Sequence, residues 1–204
     1  MVLEKIIVTI KLIFTPSVAL LLCLFLTNGY IQIVISSQIT RQITEVKDVG
    51  LAMAEFSIVE VLMTILLGRI ADQLGHSIVL IIATIACCLA SLSTLLMNEY
   101  QSYWVFVPPA LFAIVDTIYQ TECISIIGFY FKKDIEDISA TYRLIQGLGS
   151  SLCSYVTPLF SKGANACTQE QLIIEMLVST VLSILSYLLF LVFHYLSKNK
   201  KLSM

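Results

Sequence analysis

The sequence predicts an all-α fold, a polytopic membrane bundle of six transmembrane helices. Three observations carry that reading. The first is composition. Of the 204 residues, 58% are hydrophobic and only 13% are charged, whereas soluble domains hold roughly 45–50% apolar residues. Mean hydropathy is +0.91. A soluble domain of this length has too little interior to hide that much apolar surface, so lipid must be the solvent for much of it. The second is length. Apolar stretches near 12–37, 51–71, 77–97, 103–131, 138–160 and 172–195 each reach the ~20 residues a spanning helix needs. The third is period. Each stretch is too long for a strand, and the alternation of a membrane barrel is absent. Residues 1–204 therefore read as a single six-helix transmembrane domain.

The first stretch follows a short charged start that includes Glu4 and Lys5. A cleaved signal peptide has a shorter apolar region, so 12–37 reads as a retained span. Pro16 falls in its first turn, where proline costs little. Its outer half carries Asn28, Gly29, Tyr30 and Gln32, which face either other helices or the headgroups.

Span 2 holds two carboxyl groups. Glu55 lies about one turn below the start of the span, near water, and Glu60 sits roughly 13 Å in by helix rise. Five positions separate them, about 140° around the helix, so they do not share a face. Glu60 reads either as a protonatable group facing a cavity or as a neutral, hydrogen-bonded structural residue. The connection to span 3 runs Gly68-Arg69-Ile70-Ala71-Asp72-Gln73-Leu74-Gly75-His76. Its glycines suit a tight turn and close helix approach, and Asp72 suits a helix N-terminus. Spans 3 and 6 are almost wholly apolar and read as scaffold, with Cys87 and Cys88 as packing.

Span 4 is the polar exception. It opens on Pro108-Pro109, which should kink or delay the helix. Asp116, Tyr119, Gln120 and Cys123 then fall at i, i+3, i+4 and i+7, on one face, and Glu122 stands about 120° away on another flank. A charged loop follows at 132–137. Span 5 carries Arg143 within its first two turns, with Gln146 and Gly147 on the same face. Gly147, Gly149, Ser150, Ser151 and Ser154 are small enough for close helix packing. Arg143 either snorkels to the headgroups or pairs with Glu122, which lies at a comparable depth. The candidate intramembrane polar site is thus Glu60, Asp116, Tyr119, Gln120, Glu122 and Arg143. Residues of this kind inside hydrocarbon need partners or a wet cavity.

Lysine and arginine bias sets orientation. With a cytoplasmic N-terminus, that side holds Lys5, Lys11, Arg69, Lys132, Lys133, Lys198, Lys200 and Lys201, and the other side Arg41, Lys47 and Lys162. Eight against three places both termini in the cytoplasm, in a plasma membrane or an endomembrane. A net charge of −2 gives no basis for nucleic-acid binding. The six cysteines, all but Cys167 in apolar stretches, form neither a disulfide framework nor a metal site, and no cofactor motif is present. There is also no His-Glu-x-x-His, Gly-x-Ser-x-Gly or phosphate loop, so an enzyme is not expected.

The segment from Gly68 through Asp72 and Gly75 to His76 resembles the loop motif of the major facilitator superfamily, Gly-x-x-x-Asp-x-x-Gly followed by a basic residue. Here the basic position is His76. Asn28-Gly29, Asp116 through Thr121, Gly128-Phe129-Tyr130-Phe131 and Tyr142 through Gly149 are similar, in combination, to the C-terminal half of its "uncoordinated ninety-three"-like branch. That branch usually has an amide where Glu122 stands. The resemblance implies half of a major-facilitator fold, two six-helix halves around a central cavity. A lone half leaves its cavity face uncovered. Either the rest of the fold lies in further sequence, or the partner is another membrane protein or a second copy.

Two functions follow. Members of that branch are associated with control of potassium channels or with receptor trafficking, which implies a regulatory membrane subunit. The alternative is a secondary transporter, or half of one, in which Glu60, Asp116 and Glu122 carry protons or solute and Arg143 supplies the counter-charge.

Overall fold

A computed structural model describes residues 11–43, 46–97, 103–159 and 169–199. Among them the regular structure is helical. Helix α1 spans Pro16–Ile33, widens into a π-helical stretch at Val34–Ile39 and closes with a turn at Thr40–Gln42. Then come α2 (Val46–Leu74), α3 (His76–Met97), α4 (Val107–Tyr130), α5 (Ile135–Leu159) and α6 (Gln169–Lys198).

The ends of these helices are set by local chemistry. Proline at the first position of α1 lacks only an N–H that would have been unpaired anyway, and Thr15 Oγ1 donates to the Leu12 carbonyl at 2.6 Å. Gly75 alone separates α2 from α3. Its φ of +77° is a conformation that side-chain-bearing residues adopt only at a cost. A 3₁₀ turn at Tyr103–Phe106 leads into α4, whose first turn holds Pro108 and Pro109. The prolines delay that helix.

Five helical segments are long and apolar enough to cross a membrane: Pro16–Ser37, Val46–Arg69, His76–Leu96, Trp104–Tyr130 and Glu170–Lys198. Helix α5 has the length, 25 residues, but falls short in composition. Arg143, Gln146 and its serines and glycines dilute its apolar content, while its extent matches the stretch expected near 138–160. Lysines 5, 162, 200 and 201 and Cys167 lie outside the described residues.

The packing has an internal symmetry. Helix α1 packs chiefly on α5 and α6, α4 packs chiefly on α2 and α3, α3 packs on α6, and α1 meets α4 at the centre. Exchanging the first three helices for the last three maps this pattern onto itself. Tyr30, Tyr119, Tyr142, Phe25 and Phe112 are the large side chains sealed between these helices.

Hydroxyls and a thiol fasten α6. Ser91 Oγ lies 3.3 Å from Ser179 Oγ, Cys87 Sγ donates to the Ser179 carbonyl, and Thr27 Oγ1 donates to the Leu182 carbonyl. Small polar groups of this kind join helices where lipid gives no hydrophobic drive. Large apolar side chains such as Ile82, Ile85 and Leu89 on α3, and Leu177, Val181 and Leu188 on α6, point outward, as a lipid solvent requires.

Candidate functional site

The site is centred on Asn28, midway along α1. Its side chain is fully buried. Its carbonyl oxygen accepts from Gln146 Nε2 at 2.7 Å and from the Tyr142 hydroxyl at 3.1 Å, both on α5. Its amide nitrogen reaches Asp116 Oδ1 of α4 at 3.5 Å. Asp116 is 1% exposed, and its other oxygen accepts from Gln120 Nε2 at 2.9 Å. One amide therefore ties three helices together.

Close backbone approach makes that possible. A Cβ at Gly29 would run into the Gln146 carbonyl, and a Cβ at Gly149 would run into the Leu26 carbonyl. Ser150 Oγ donates to the Gly29 carbonyl at 3.0 Å. These glycines let α1 and α5 touch backbone to backbone. Gly147, also expected in close packing, is exposed, with open space around it.

Glu60 of α2 lies close enough to Asp116 for the two carboxyl groups to interact electrostatically. Beside the pair lies a cavity of about 450 Å³, lined by Glu60, Thr64, Thr117, Gln120 and Thr121 with Val61 and Ile124. No lysine or arginine lines it. Such a place can hold a proton or a small cation.

The remaining predicted residues fall elsewhere. Tyr119 leaves the Asp116 face. Its hydroxyl lies 2.8 Å from Ser183 Oγ and 3.2 Å from Ser186 Oγ, which bolts α4 to α6. Glu122 does not pair with Arg143. Helix α4 turns that flank toward α3, where Glu122 Oε2 meets His76 Nδ1 at 2.7 Å. Arg143 sits on α5, which packs on α1, so it stays exposed. It donates to Gln146 Oε1 at 2.9 Å, and its guanidinium lies over the Tyr142 ring. Of the loop motif, Gly75 makes the turn, Gly68 has open space around it, and the Asp72 side chain lies outside the described residues.

Three of the network's members were absent from the predicted site: Asn28, Tyr142 and Gln146. Asn28 was findable, because a buried amide in a span needs partners on other helices. Glu175 of α6 is likewise buried, near Tyr30 and Cys153, so α6 is less uniformly apolar than its sequence suggests. Among the described residues, no three His, Cys, Asp or Glu side chains gather as metal ligands.

Comparison with known proteins decides the family. The model of the Major Facilitator Superfamily matches residues 18–203. The chain belongs to this superfamily. Its similarity to Protein unc-93 homolog A is 29% identity over 147 residues for the Bos taurus protein and 27% over 147 for that of Homo sapiens. For the Danio rerio protein it is 30% over 148. In each case the alignment covers 69% of this chain and 32% of the relative, so the chain matches about a third of the length of these curated relatives. No solved structure matches. The protein is thus an integral, multi-pass facilitator-superfamily member in contact with the bilayer.

Proposed function

We propose that this chain is a six-helix half of a facilitator fold, with both termini cytoplasmic. In this reading it acts as a regulatory component of an ion channel or of receptor trafficking, through another membrane protein or a second copy. One observation carries it. Arg143, Gly147, Ser151 and Ser154 recur along one line of α5 and are all exposed, beside a second exposed line of Leu144, Leu148, Leu152 and Tyr155. Lipid is a poor neighbour for the first line, and a packed helix is a good one. The central polar groups, by contrast, are engaged with one another, as suits a fixed structural element. The reading assigns no catalysis.

Ser151→Cys, oxidised in native membranes, tests the association. A disulfide-linked adduct is expected, to a second copy or to another six-helix unit. Absence of any adduct, with Ser154→Cys also unlinked, overturns it.

The second reading is secondary transport of a small solute, coupled to protons. The Glu60–Asp116 contact beside the open cavity favours it. Uptake into proteoliposomes separates the two. Gradient-driven flux that collapses on Asp116→Asn replaces the regulatory reading with transport. Absence of flux under every gradient leaves regulation standing.

A further inference from the structure

A second cavity, of about 430 Å³, lies away from the Asn28 network, between the start of α1 and the turn joining α4 to α5. We propose that it holds the headgroup and upper acyl chain of an anionic phospholipid. The inference rests on the chain being a membrane protein and holds under either functional reading.

The cavity has two unlike walls. One carries Lys132 and Lys133 with the hydroxyl residue Ser17; the Thr15 hydroxyl, also in the lining, is already given to the Leu12 carbonyl. Among the described residues neither Lys132 nor Lys133 has an ion-pair partner. The other wall is apolar: Val18 of α1, Phe129 and Phe131 at the end of α4, and Ile138 of α5. A phosphate ester satisfies the first wall and a hydrocarbon chain the second. An amphiphile uses both, whereas free phosphate has no use for the apolar one.

Depth points the same way. Helix α1 begins at Pro16 and α4 ends at Tyr130, so the cavity sits where two apolar helices stop and lysines begin. That is the headgroup level of the bilayer. Helices α1 and α5 both start at this cavity, and their N-terminal dipoles add to the positive field. Asp134, also in the lining, opposes one lysine. The net of one positive charge corresponds to about a fivefold preference for an anionic over a neutral headgroup.

Native mass spectrometry of the full chain in detergent tests this, with phosphatidylserine, phosphatidylcholine and inorganic phosphate as separate probes. About fivefold more phosphatidylserine than phosphatidylcholine should be retained, and no phosphate adduct should appear. Lys132 and Lys133 are exposed, so the double variant K132Q/K133Q should fold and lose that preference. A photoactivatable phosphatidylserine should label peptides containing residues 129–138. Equal retention of the two lipids overturns the proposal, as does an unchanged preference in the double variant or labelling confined elsewhere. Saturable binding of inorganic phosphate alone would reassign the cavity to a soluble anion.

Discussion

The α1–α5 seam and the α2–α4 seam change places when the first three helices are exchanged for the last three, yet they are built in opposite ways. The first is closed. Gly29 and Gly149 bring backbones into contact, and Asn28 fills its carbonyl with two donors from α5. The second is open. Glu60 and Asp116 approach each other beside a cavity of about 450 Å³ edged by threonines. The same helix topology thus supports a rigid joint on one side and a place with room for something else on the other. The difference lies in a few residues, not in the fold. Asp116 belongs to both, through Asn28 on one side and Glu60 on the other.

Substitution should grade the two seams. The largest loss is expected for Gly149→Val, because the new side chain meets backbone that cannot rotate away. Overpacking of this kind costs about 3 kcal/mol or more, and size-exclusion of the detergent-solubilised chain should show little monodisperse protein. A well-behaved Gly149→Val would break the claim that this seam is closed. Asn28→Ala comes next. It strands the Gln146 and Tyr142 donors and one Asp116 oxygen, for about 2–3 kcal/mol, read as a lowered thermal midpoint.

Tyr119→Phe lies outside both seams and calibrates the scale. It removes a hydroxyl held by two serines of α6 and should cost about 1 kcal/mol. The smallest effect is expected at the open seam. Glu60 is only partly buried, so Glu60→Gln should change stability by less than about 0.5 kcal/mol. If Glu60→Gln lowers the midpoint as far as Asn28→Ala does, the seams are energetically alike and the contrast fails.

Much of this was legible in the sequence, for physical reasons. Span length and apolar content are one-dimensional quantities, so α1, α2, α3, α4 and α6 could be placed to within a few residues. Helix α5 was placed as closely, although its apolar content is lower. Its polar residues belong to an interface, and a simple apolar count treats an interface as a defect. Within the site, Asp116 and Gln120 could be paired because i and i+4 share a helical face. Tyr119 shares nearly the same face, but three residues swing a ring far enough to reach α6. Partners on different helices were not readable. Depth offers Glu122 as one of two alternatives for Arg143, and depth does not say which neighbour a helix turns toward. His76 and Glu122 look unrelated in the sequence until the helices are assembled.

The π-helical stretch at Val34–Ile39 has a consequence for register. A π turn holds one residue more than an α turn needs, so everything after it is rotated by about 100°. That surplus residue aims Ile43 at Ala52, with Val49, Val105 and Phe106 packed around them as a small core separate from the main one. A single deletion within 34–39 would return α1 to α geometry and turn Ile39 and Ile43 out of their places. The far end of the bundle owes its own anchorage to a helix that is one residue out of step.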